Sequence, residues 1–276
     1  MTIVSYEKQR INLDGVQNAR QLGGYIGTDG KKVKNNIILR TGTLFTATAD
    51  ARRELSERYR VSDVIDFRMP QEAEAMPEPD IKGARYHHLS VLNNIPVSKK
   101  EFELYKKLLN INDIVYKYKF IYEQKVPVDM AENYKIMAFS DEGRAGYRKF
   151  FDILLNKPEN ASVLFHCTQG KDRTGVAALL LLSALGADRE TIISDYLLTN
   201  KAYGYLLDKI RNELAAANAG KEVIDYAMML EGVSESFIGA VLKIMDREYG
   251  SVKGYLKSEL DLTNADIKRL EEMYLE

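Results

Sequence analysis

Residues 162–187 consist of an apolar segment, a short polar segment and a second apolar segment, and this pattern constrains the fold more than any other. The first segment, SVLF, has the length of a buried strand. The last, VAALLLLSALGA (176–187), is long enough for a buried helix but too short to span a bilayer. Between them lies HCTQGKDRTG (166–175), which holds the only cysteine of the chain. A buried strand that passes through a glycine-containing loop into a buried helix is typical of an α/β fold.

Other apolar runs of strand length alternate with helix-like stretches, which favours parallel strands joined by crossover helices. The predicted strands are NIIL (36–39), VIDF (64–67), ARYHHLSV (84–91) and SVLF (162–165). Helices are predicted over 47–60, over 143–157 and through most of the chain after Gly175. The predicted fold class is therefore α/β, with a central, mostly parallel sheet flanked by helices and a helix-rich C-terminal half.

No repeat, low-complexity tract or linker divides the 276 residues, so we expect a single domain over residues 1–276. Two helical segments stand outside the alternation, at about 97–135 and at 201–232. The first is predicted to contain a break near Asn110–Asn112, and the second a break at Ala217–Gly220. As insertions into the pattern of strands and helices, both segments are candidates to cover an active site.

The charge balance and the cysteine count exclude several classes of protein. The net charge of −1 and the pI of about 6.4 give no general attraction to nucleic acid or to acidic membranes. One cysteine cannot form an internal disulfide, and the charged N-terminus MTIVSYEKQR lacks the apolar stretch of a secretory signal. We therefore expect a cytoplasmic protein without stable membrane insertion, in which any anion recognition is local.

Residues Cys167 to Arg173 have the length and composition of a loop that binds a tetrahedral oxyanion. Amides at a helix start point toward such an anion, and Gly170 can adopt torsions closed to other residues. The guanidinium of Arg173 offers two parallel donors. The same positive field favours the thiolate of Cys167, the form that attacks phosphorus. Thr174 is a candidate to donate its hydroxyl to the sulfur.

Each of these residues has an ordinary alternative role, but their combination is specific. A lone buried cysteine is usually a small hydrophobic side chain, and a lone arginine is usually a solvated charge. Other phosphate motifs fail, because Phe165 and Asp172 stand where a Walker loop needs glycine and serine or threonine. Three histidines without H-x-H or H-E-x-x-H spacing give little support for a hydrolytic metal centre.

The segment HCTQGKDRTG resembles the phosphate-binding loop of cysteine-dependent protein tyrosine phosphatases, and its Lys-Asp pair resembles the atypical bacterial branch. Gln21 departs from this branch, whose N-terminal motif usually has aspartate at that place. The resemblance covers nearly the whole chain and implies an α/β fold. It extends to NARQLGGY (18–25), VIDFR (64–68), DYLLTN (195–200) and SVKGYLKSELDLTNADIKRLEEMYL (251–275).

The resemblance also implies roles for the residues of the loop. Cys167 is the implied nucleophile, which forms a phosphocysteine, and Arg173 holds the phosphoryl oxygens together with the loop amides. No metal or other cofactor is implied. The implied phosphate-binding residues are Thr168, Gln169, Gly170, Lys171, Asp172, Arg173 and Thr174.

A general acid has to protonate the leaving oxygen, and two aspartates are candidates. The resemblance favours Asp172, inside the loop. Asp66, at the end of the VIDF strand, is the second candidate, with an alternative role as ion-pair partner of Arg68 or Arg173. Lys171 either contacts a second substrate phosphate or is a solvated charge at the rim.

The predicted function is cysteine-dependent hydrolysis of phosphotyrosine in phosphorylated proteins, with inorganic phosphate as product. Phosphoserine, phosphothreonine, phosphoinositides and small phosphomonoesters are further candidate substrates, and nucleic acid is not an expected partner. The alternative is a catalytically silent module that binds phosphorylated partners. The intact pair of Cys167 and Arg173 disfavours this alternative.

Overall fold

The computed structural model describes residues 5–92, 113–124 and 129–276. A five-stranded sheet with the order β1-β2-β5-β3-β4 lies at its centre. The first pair, β1 with β2, is antiparallel, and the other pairs are parallel. The predicted mostly parallel sheet is therefore confirmed. The strands are β1 (Arg20–Gln21), β2 (Ile38–Thr41), β3 (Val61–Asp66), β4 (Arg85–His88) and β5 (Ser162–His166).

Helices that flank the sheet form more than half of the described residues, as the fold class predicts. Among the described residues, none of the helices combines the length and the apolar character needed to cross a membrane. The helices are α1 (Tyr6–Gln9), α2 (Ala49–Glu57), α3 (Pro70–Ala75), α4 (Ile114–Glu123), α5 (Met130–Phe139), α6 (Asp141–Asn156), α7 (Arg173–Ala184), α8 (Arg189–Ala202), α9 (Gly204–Ala216), α10 (Lys221–Glu231), α11 (Glu235–Tyr249), α12 (Val252–Ser258) and α13 (Asn264–Tyr274).

Strand β5 lies in the middle of the sheet and is buried along its whole length. Val163 and Phe165 pack into the larger hydrophobic cluster, which includes α7, whereas Leu164 packs into a second cluster with Leu55 of α2. Burial on both faces explains why the strand reads as a continuous apolar run. Helix α7 is buried from Thr174 to Ala184, which explains its leucine run. The segments before and after the polar loop are thus both anchored in the core.

The two segments predicted to cover an active site pack against each other where they are described. Helices α9 and α10 are separated at Ala217–Gly220, as predicted, whereas the predicted break near Asn110–Asn112 lies outside the described residues. Tyr118 of α4, Leu214 of α9 and Ala227 of α10 belong to one small hydrophobic cluster that is distinct from the two main ones. This cluster, with Ile121 and Ile210, is called the cover cluster below.

Candidate active site

Three parallel strands end side by side at the point where the polar loop begins. Thr41 of β2 and Asp66 of β3 are both paired with His166 of β5. Parallel strands present their carboxyl ends at one edge of the sheet, which is where open α/β sheets bind ligands. The predicted phosphate-binding residues 168–174 therefore lie together in the connection from β5 into the first turn of α7.

The conformation of the loop depends on Gly170. Its φ of +65° is in the left-handed region, and a Cβ at this position would lie 2.2 Å from the carbonyl oxygen of Thr41. Only glycine tolerates both conditions. The Gly170 carbonyl accepts hydrogen bonds from Asn18 Nδ2 and from an Arg40 terminal nitrogen, each at 2.9 Å.

The backbone carbonyls of residues 168–170 accept hydrogen bonds, whereas the backbone amides of the loop find no acceptor among the described residues. The Gln169 carbonyl accepts from the Tyr203 hydroxyl at 2.8 Å, and the Thr168 carbonyl accepts from the Thr43 amide at 2.9 Å. In contrast, the amides of residues 168–172 donate no hydrogen bond to any residue that the structure describes. Unbonded amides ahead of a helix N-terminus make a site for an anion.

Cys167 lies at the start of this loop with only 1% of its surface exposed. The hydroxyl oxygen of Thr174 is buried and has no hydrogen-bond partner among the described residues. Burial alone would lower the pKa of Arg173, but the charges of Glu72 and of the Cys167 sulfur raise it. Arg173 therefore stays protonated beside the thiol.

Glu72, which the sequence analysis did not single out, is the partner of Arg173. The two terminal nitrogens of Arg173 donate to the two carboxylate oxygens at 2.5 and 3.0 Å, and the Thr168 hydroxyl donates to the same carboxylate at 2.5 Å. Burial alone would raise the pKa of Glu72, but the charge of Arg173 and the hydrogen bonds that the carboxylate accepts from Arg173, Thr168 and the Met69 amide together lower it to about 2. The sequence gives no reason to prefer Glu72 over Glu74 as the partner of Arg173. The orientation of α3 places Glu72 against Arg173 and leaves Glu74 exposed.

Asp172 occupies the N-cap position of α7, but its side chain does not cap the helix. Instead, its Oδ1 accepts a hydrogen bond of 2.7 Å from the hydroxyl of Tyr134, a buried residue of α5. Among the described residues, none donates a hydrogen bond to Oδ2. The carboxylate therefore has one oxygen held by the protein and one available.

Asp66 is fully buried at the end of β3, where Arg68 occupies its carboxylate. Arg68 Nε donates to Oδ1 at 2.9 Å and Arg68 Nη2 donates to Oδ2 at 2.8 Å. The Tyr86 hydroxyl also donates to Oδ2, at 2.5 Å. Burial alone would raise the pKa of Asp66, but the charges of His166 and Arg68 lower it to about 2. Asp66 was predicted to be either a general acid or an ion-pair partner of Arg68 or Arg173. The geometry is that of an ion pair with Arg68.

Glu78 and His166 complete the cluster around Asp66. Potential ligand atoms of these three residues lie within 4.8 Å of one another. However, the guanidinium of Arg68 contacts Asp66 at 2.8 Å and Glu78 at 2.6 Å, so that an arginine already supplies the positive charge. His166 Nδ1 donates to the carbonyl of Cys167 at 3.1 Å and so supports the start of the loop.

Asp195 connects the N-terminal motif to the loop. It accepts from Arg20 at 3.2 Å and from Arg40 at 2.6 Å, and all three side chains are buried. Burial alone would raise the pKa of Asp195, but the two arginine charges lower it. Arg20 also donates to Asn18 Oδ1 at 2.5 Å, which turns the Asn18 amide nitrogen toward the Gly170 carbonyl. The segments NARQLGGY and DYLLTN thus form one network that supports the loop.

Lys171 is buried, with 3% of its surface exposed, and is not a solvated charge at the rim. Its Nζ donates to the carbonyl of Leu230 at 2.6 Å, at the C-terminal end of α10. Next to it, Gln169 donates to Glu231 at 3.1 Å, and the Tyr118 hydroxyl donates to the same carboxylate at 2.6 Å. Helix α10 therefore lies against the loop and is tied to α4.

A buried thiol lies between a strand end and a loop whose amides have no acceptor among the described residues, and Glu72 fixes Arg173 at the helix start. This arrangement can hold a tetrahedral oxyanion beside the thiol. Comparison with known proteins gives the class of the protein. The model of the tyrosine phosphatase family matches residues 11–276, and the chain belongs to that family. The predicted resemblance is confirmed, and the protein is a phosphatase.

Relatives in three bacteria support this assignment. The chain is 31% identical over 258 residues to a Cupriavidus necator protein provisionally named tyrosine-protein phosphatase, across 92% of this chain and 85% of that protein. It is 24% identical over 264 residues to the triple specificity protein phosphatase PtpB of Mycobacterium tuberculosis, across 84% and 90% of the two chains. A tyrosine-protein phosphatase of Nostoc commune is 34% identical over 115 residues, which are 41% of this chain and 38% of that protein.

Proposed function

We propose that this phosphatase hydrolyses phosphomonoesters through a covalent intermediate on Cys167. The thiolate attacks phosphorus, so that an S–P bond forms while the bond to the leaving oxygen breaks and that oxygen takes a proton. Water then attacks the phosphocysteine, which releases inorganic phosphate and restores the thiolate. The observation that carries the proposal is the loop 167–173. The carbonyls of residues 168–170 accept hydrogen bonds, while the amides of residues 168–172 donate none to the described residues and can hold phosphoryl oxygens.

We assign the general acid to Asp172 and not to Asp66. Both oxygens of Asp66 accept hydrogen bonds from Arg68, and its low pKa keeps it ionised, whereas an acid has to carry a proton. Asp172 lies within the loop, at the N-cap position of α7, and its Oδ2 accepts no hydrogen bond from the described residues. After donating its proton to the leaving oxygen, Asp172 takes one from the attacking water.

Phosphotyrosine is the proposed main substrate, with phosphoserine, phosphothreonine and phosphoinositides as further substrates. The name of the Mycobacterium tuberculosis relative, a triple specificity phosphatase, supports a range wider than phosphotyrosine. Lys171 provides the chemistry for such a range, since a buried ammonium next to the phosphate loop is suited to a second phosphate group. The Leu230 carbonyl occupies that ammonium in this conformation.

Helices α9 and α10 are proposed to cover the site and to move when substrate binds. Lys171, Gln169 and the Tyr203 hydroxyl all take part in hydrogen bonds between the loop and this segment, and Cys167 at the start of the same loop is 1% exposed. Movement of this segment would widen the access of a phosphoprotein to the loop. The cover cluster gives the two helices a small core of their own, and Met229 of α10 also packs against the edge of the main core, so a shift of the helices would disturb the main core only at that edge.

We propose a mechanism without metal or other cofactor. The positive charges at the loop come from Arg173, Lys171 and Arg40 and from the helix start. Turnover is therefore expected to persist in excess EDTA. Loss of turnover in EDTA that added Mg²⁺ or Zn²⁺ restores would contradict this part of the proposal.

The test of the proposed function is the variant Cys167→Ser, measured with an aryl phosphate in excess EDTA. Turnover is expected to fall below detection, because an alcohol replaces the thiolate, while inorganic phosphate still binds in calorimetry. Ser183→Ala, a small change at a buried position near the other end of α7, is the matched control and is expected to keep activity. Undiminished turnover in Cys167→Ser would exclude the thiol mechanism. Binding of a phosphopeptide by the unaltered protein without release of phosphate would instead indicate the silent module.

A further inference from the structure

Tyr134 is the residue outside the loop that holds the carboxylate of Asp172. Its hydroxyl donates to Oδ1 at 2.7 Å, from a helix 38 positions earlier in the chain. The Asp172 side chain makes no capping bond to its own helix, although it stands at the N-cap position, where aspartate usually caps. The direction of this carboxylate is therefore set by Tyr134 and not by the start of α7.

The ring of Tyr134 is fixed on several sides. Its surface is completely buried, and it packs edge-on against Tyr196 and at a tilt against Phe237, with ring centroids 6.1 and 6.0 Å away. Its hydroxyl oxygen also lies 2.6 Å from that of Tyr196. A phenol has one hydrogen, so when Tyr134 donates to Asp172 it accepts from Tyr196. Hydrogen bonds that share a hydroxyl in this way polarise each other, which strengthens the bond to Asp172.

Burial and the charge of Asp172 keep Tyr134 protonated. Burial raises the pKa of Tyr134 well above 10, and the charges of Asp172 and Tyr196 raise it further. The hydroxyl therefore remains a donor throughout the pH range of a phosphatase assay. Because the Tyr134 hydroxyl stays protonated and always donates to Oδ1 of Asp172, it is suited to hold this carboxyl group in one orientation.

We propose that Tyr134 is the positioning residue of the general acid, since it occupies Oδ1 of Asp172 and so directs Oδ2 toward the leaving oxygen. The inference rests on the proposed function, in which Asp172 is that acid. The proton on Oδ2 passes to the leaving oxygen as the P–O bond breaks and the S–P bond forms. Without the Tyr134 hydroxyl, the carboxyl group rotates freely and only part of the molecules present Oδ2 correctly.

The test is Tyr134→Phe, measured with phosphotyrosine, whose leaving group needs protonation, and with 4-nitrophenyl phosphate, whose leaving group needs it far less. We expect kcat for phosphotyrosine to fall about tenfold, and kcat for the nitrophenyl ester and both KM values to stay within about twofold. The matched control is Tyr274→Phe. It also removes a hydroxyl from a fully buried tyrosine, one that donates to the Leu154 carbonyl away from the loop. In this control, the ratio of kcat for phosphotyrosine to kcat for 4-nitrophenyl phosphate is expected to stay unchanged.

Asp172→Asn separates the inference from the proposed function. If Asp172→Asn shows the selective loss on phosphotyrosine and Tyr134→Phe does not, Asp172 is the acid and the inference about Tyr134 is wrong. If Asp172→Asn itself shows no selective loss, the assignment of the acid fails and the role of Tyr134 fails with it. If both hold, Tyr134→Phe adds no further loss in the Asp172→Asn background, because the two residues act in one step.

A second variant covers the case in which Tyr134→Phe does not fold. Tyr196→Phe keeps the Tyr134 hydroxyl on Asp172 but removes the donor behind it. We expect a loss of about two- to threefold on phosphotyrosine and none on the nitrophenyl ester. Equal losses on both substrates would show that these tyrosines only maintain the packing, and would overturn the inference.

Discussion

Glu72 and Arg173 face each other through two parallel hydrogen bonds, in which each terminal nitrogen of the guanidinium binds one carboxylate oxygen, at 2.5 and 3.0 Å. The planar fork of arginine matches a carboxylate in this geometry, so Glu72 fixes the plane of the guanidinium. The side chains are 11% and 10% exposed, and the pair is therefore largely shielded from water. Glu72 thus fixes the orientation of the guanidinium that we propose to bind the phosphoryl group.

Glu72→Gln is predicted to lower kcat/KM by about 10- to 100-fold, the equivalent of one charge-assisted hydrogen bond. The loss should be the same for phosphotyrosine and 4-nitrophenyl phosphate, because Arg173 binds the phosphoryl group common to both. Glu74→Gln, at an exposed position of the same helix, is the matched control and should leave kcat/KM unchanged. Unaltered kinetics of Glu72→Gln would show that Arg173 needs no carboxylate partner.

The same carboxylate makes stability depend on pH. Its pKa is about 2 in the folded protein, against an ordinary 4.5, so the folded state favours ionised Glu72. This stabilisation is complete above about pH 4.5 and is lost as the pH falls toward 2. In urea unfolding, the free-energy advantage of the unaltered protein over Glu72→Gln should be about 2 kcal/mol smaller at pH 3 than at pH 6. Asp66 titrates over the same range in both proteins and cancels, so an advantage that is equal at both pH values would contradict the prediction.

Lys171→Met should separate substrates by their number of phosphate groups. Methionine fills a similar volume without charge, so the buried position stays packed. We expect turnover of a phosphoinositide with a second phosphate to fall about tenfold, and turnover of phosphotyrosine to change by less than about threefold. Lys243→Met, at an exposed position of α11, controls for the loss of one positive charge. Parallel losses on both substrates would mean that Lys171 only anchors Leu230 of α10.

Gly170→Ala is predicted to destabilise the fold and to abolish turnover. The new methyl group would meet the Thr41 carbonyl oxygen at 2.2 Å in a backbone conformation with φ of +65°. Gly30→Ala is a matched control, since Gly30 has φ of +74° but nothing within 4 Å of a Cβ. The control should cost about 1 kcal/mol of unfolding free energy, from strain alone, and Gly170→Ala at least about 2 kcal/mol. Similar stability and full activity of both variants would show that the loop has room to move.

Local patterns predicted much of this fold because neighbouring residues determine them. The continuous apolar run before Cys167 and the leucine run after Gly175 reflect burial on all sides, and both elements are found where they were predicted. Asp188 caps α8, and Thr263 forms a capping box with Asp266, as their spacing indicates. Strand β1 was not predicted, because two residues are too few to show a periodic pattern.

The sequence by itself determined the loop 167–173, since Cys167, Gly170 and Arg173 lie within seven consecutive positions between a strand end and a helix start. Only the tertiary structure decided which side chains orient that loop. Glu72 reaches Arg173 over 101 positions, and Asp195 reaches Arg20 over 175. Partners so far apart in the sequence have no characteristic spacing from which they could be predicted. The free energy of a buried ion pair or hydrogen bond depends on the distance between its atoms and on their desolvation, and not on separation along the chain.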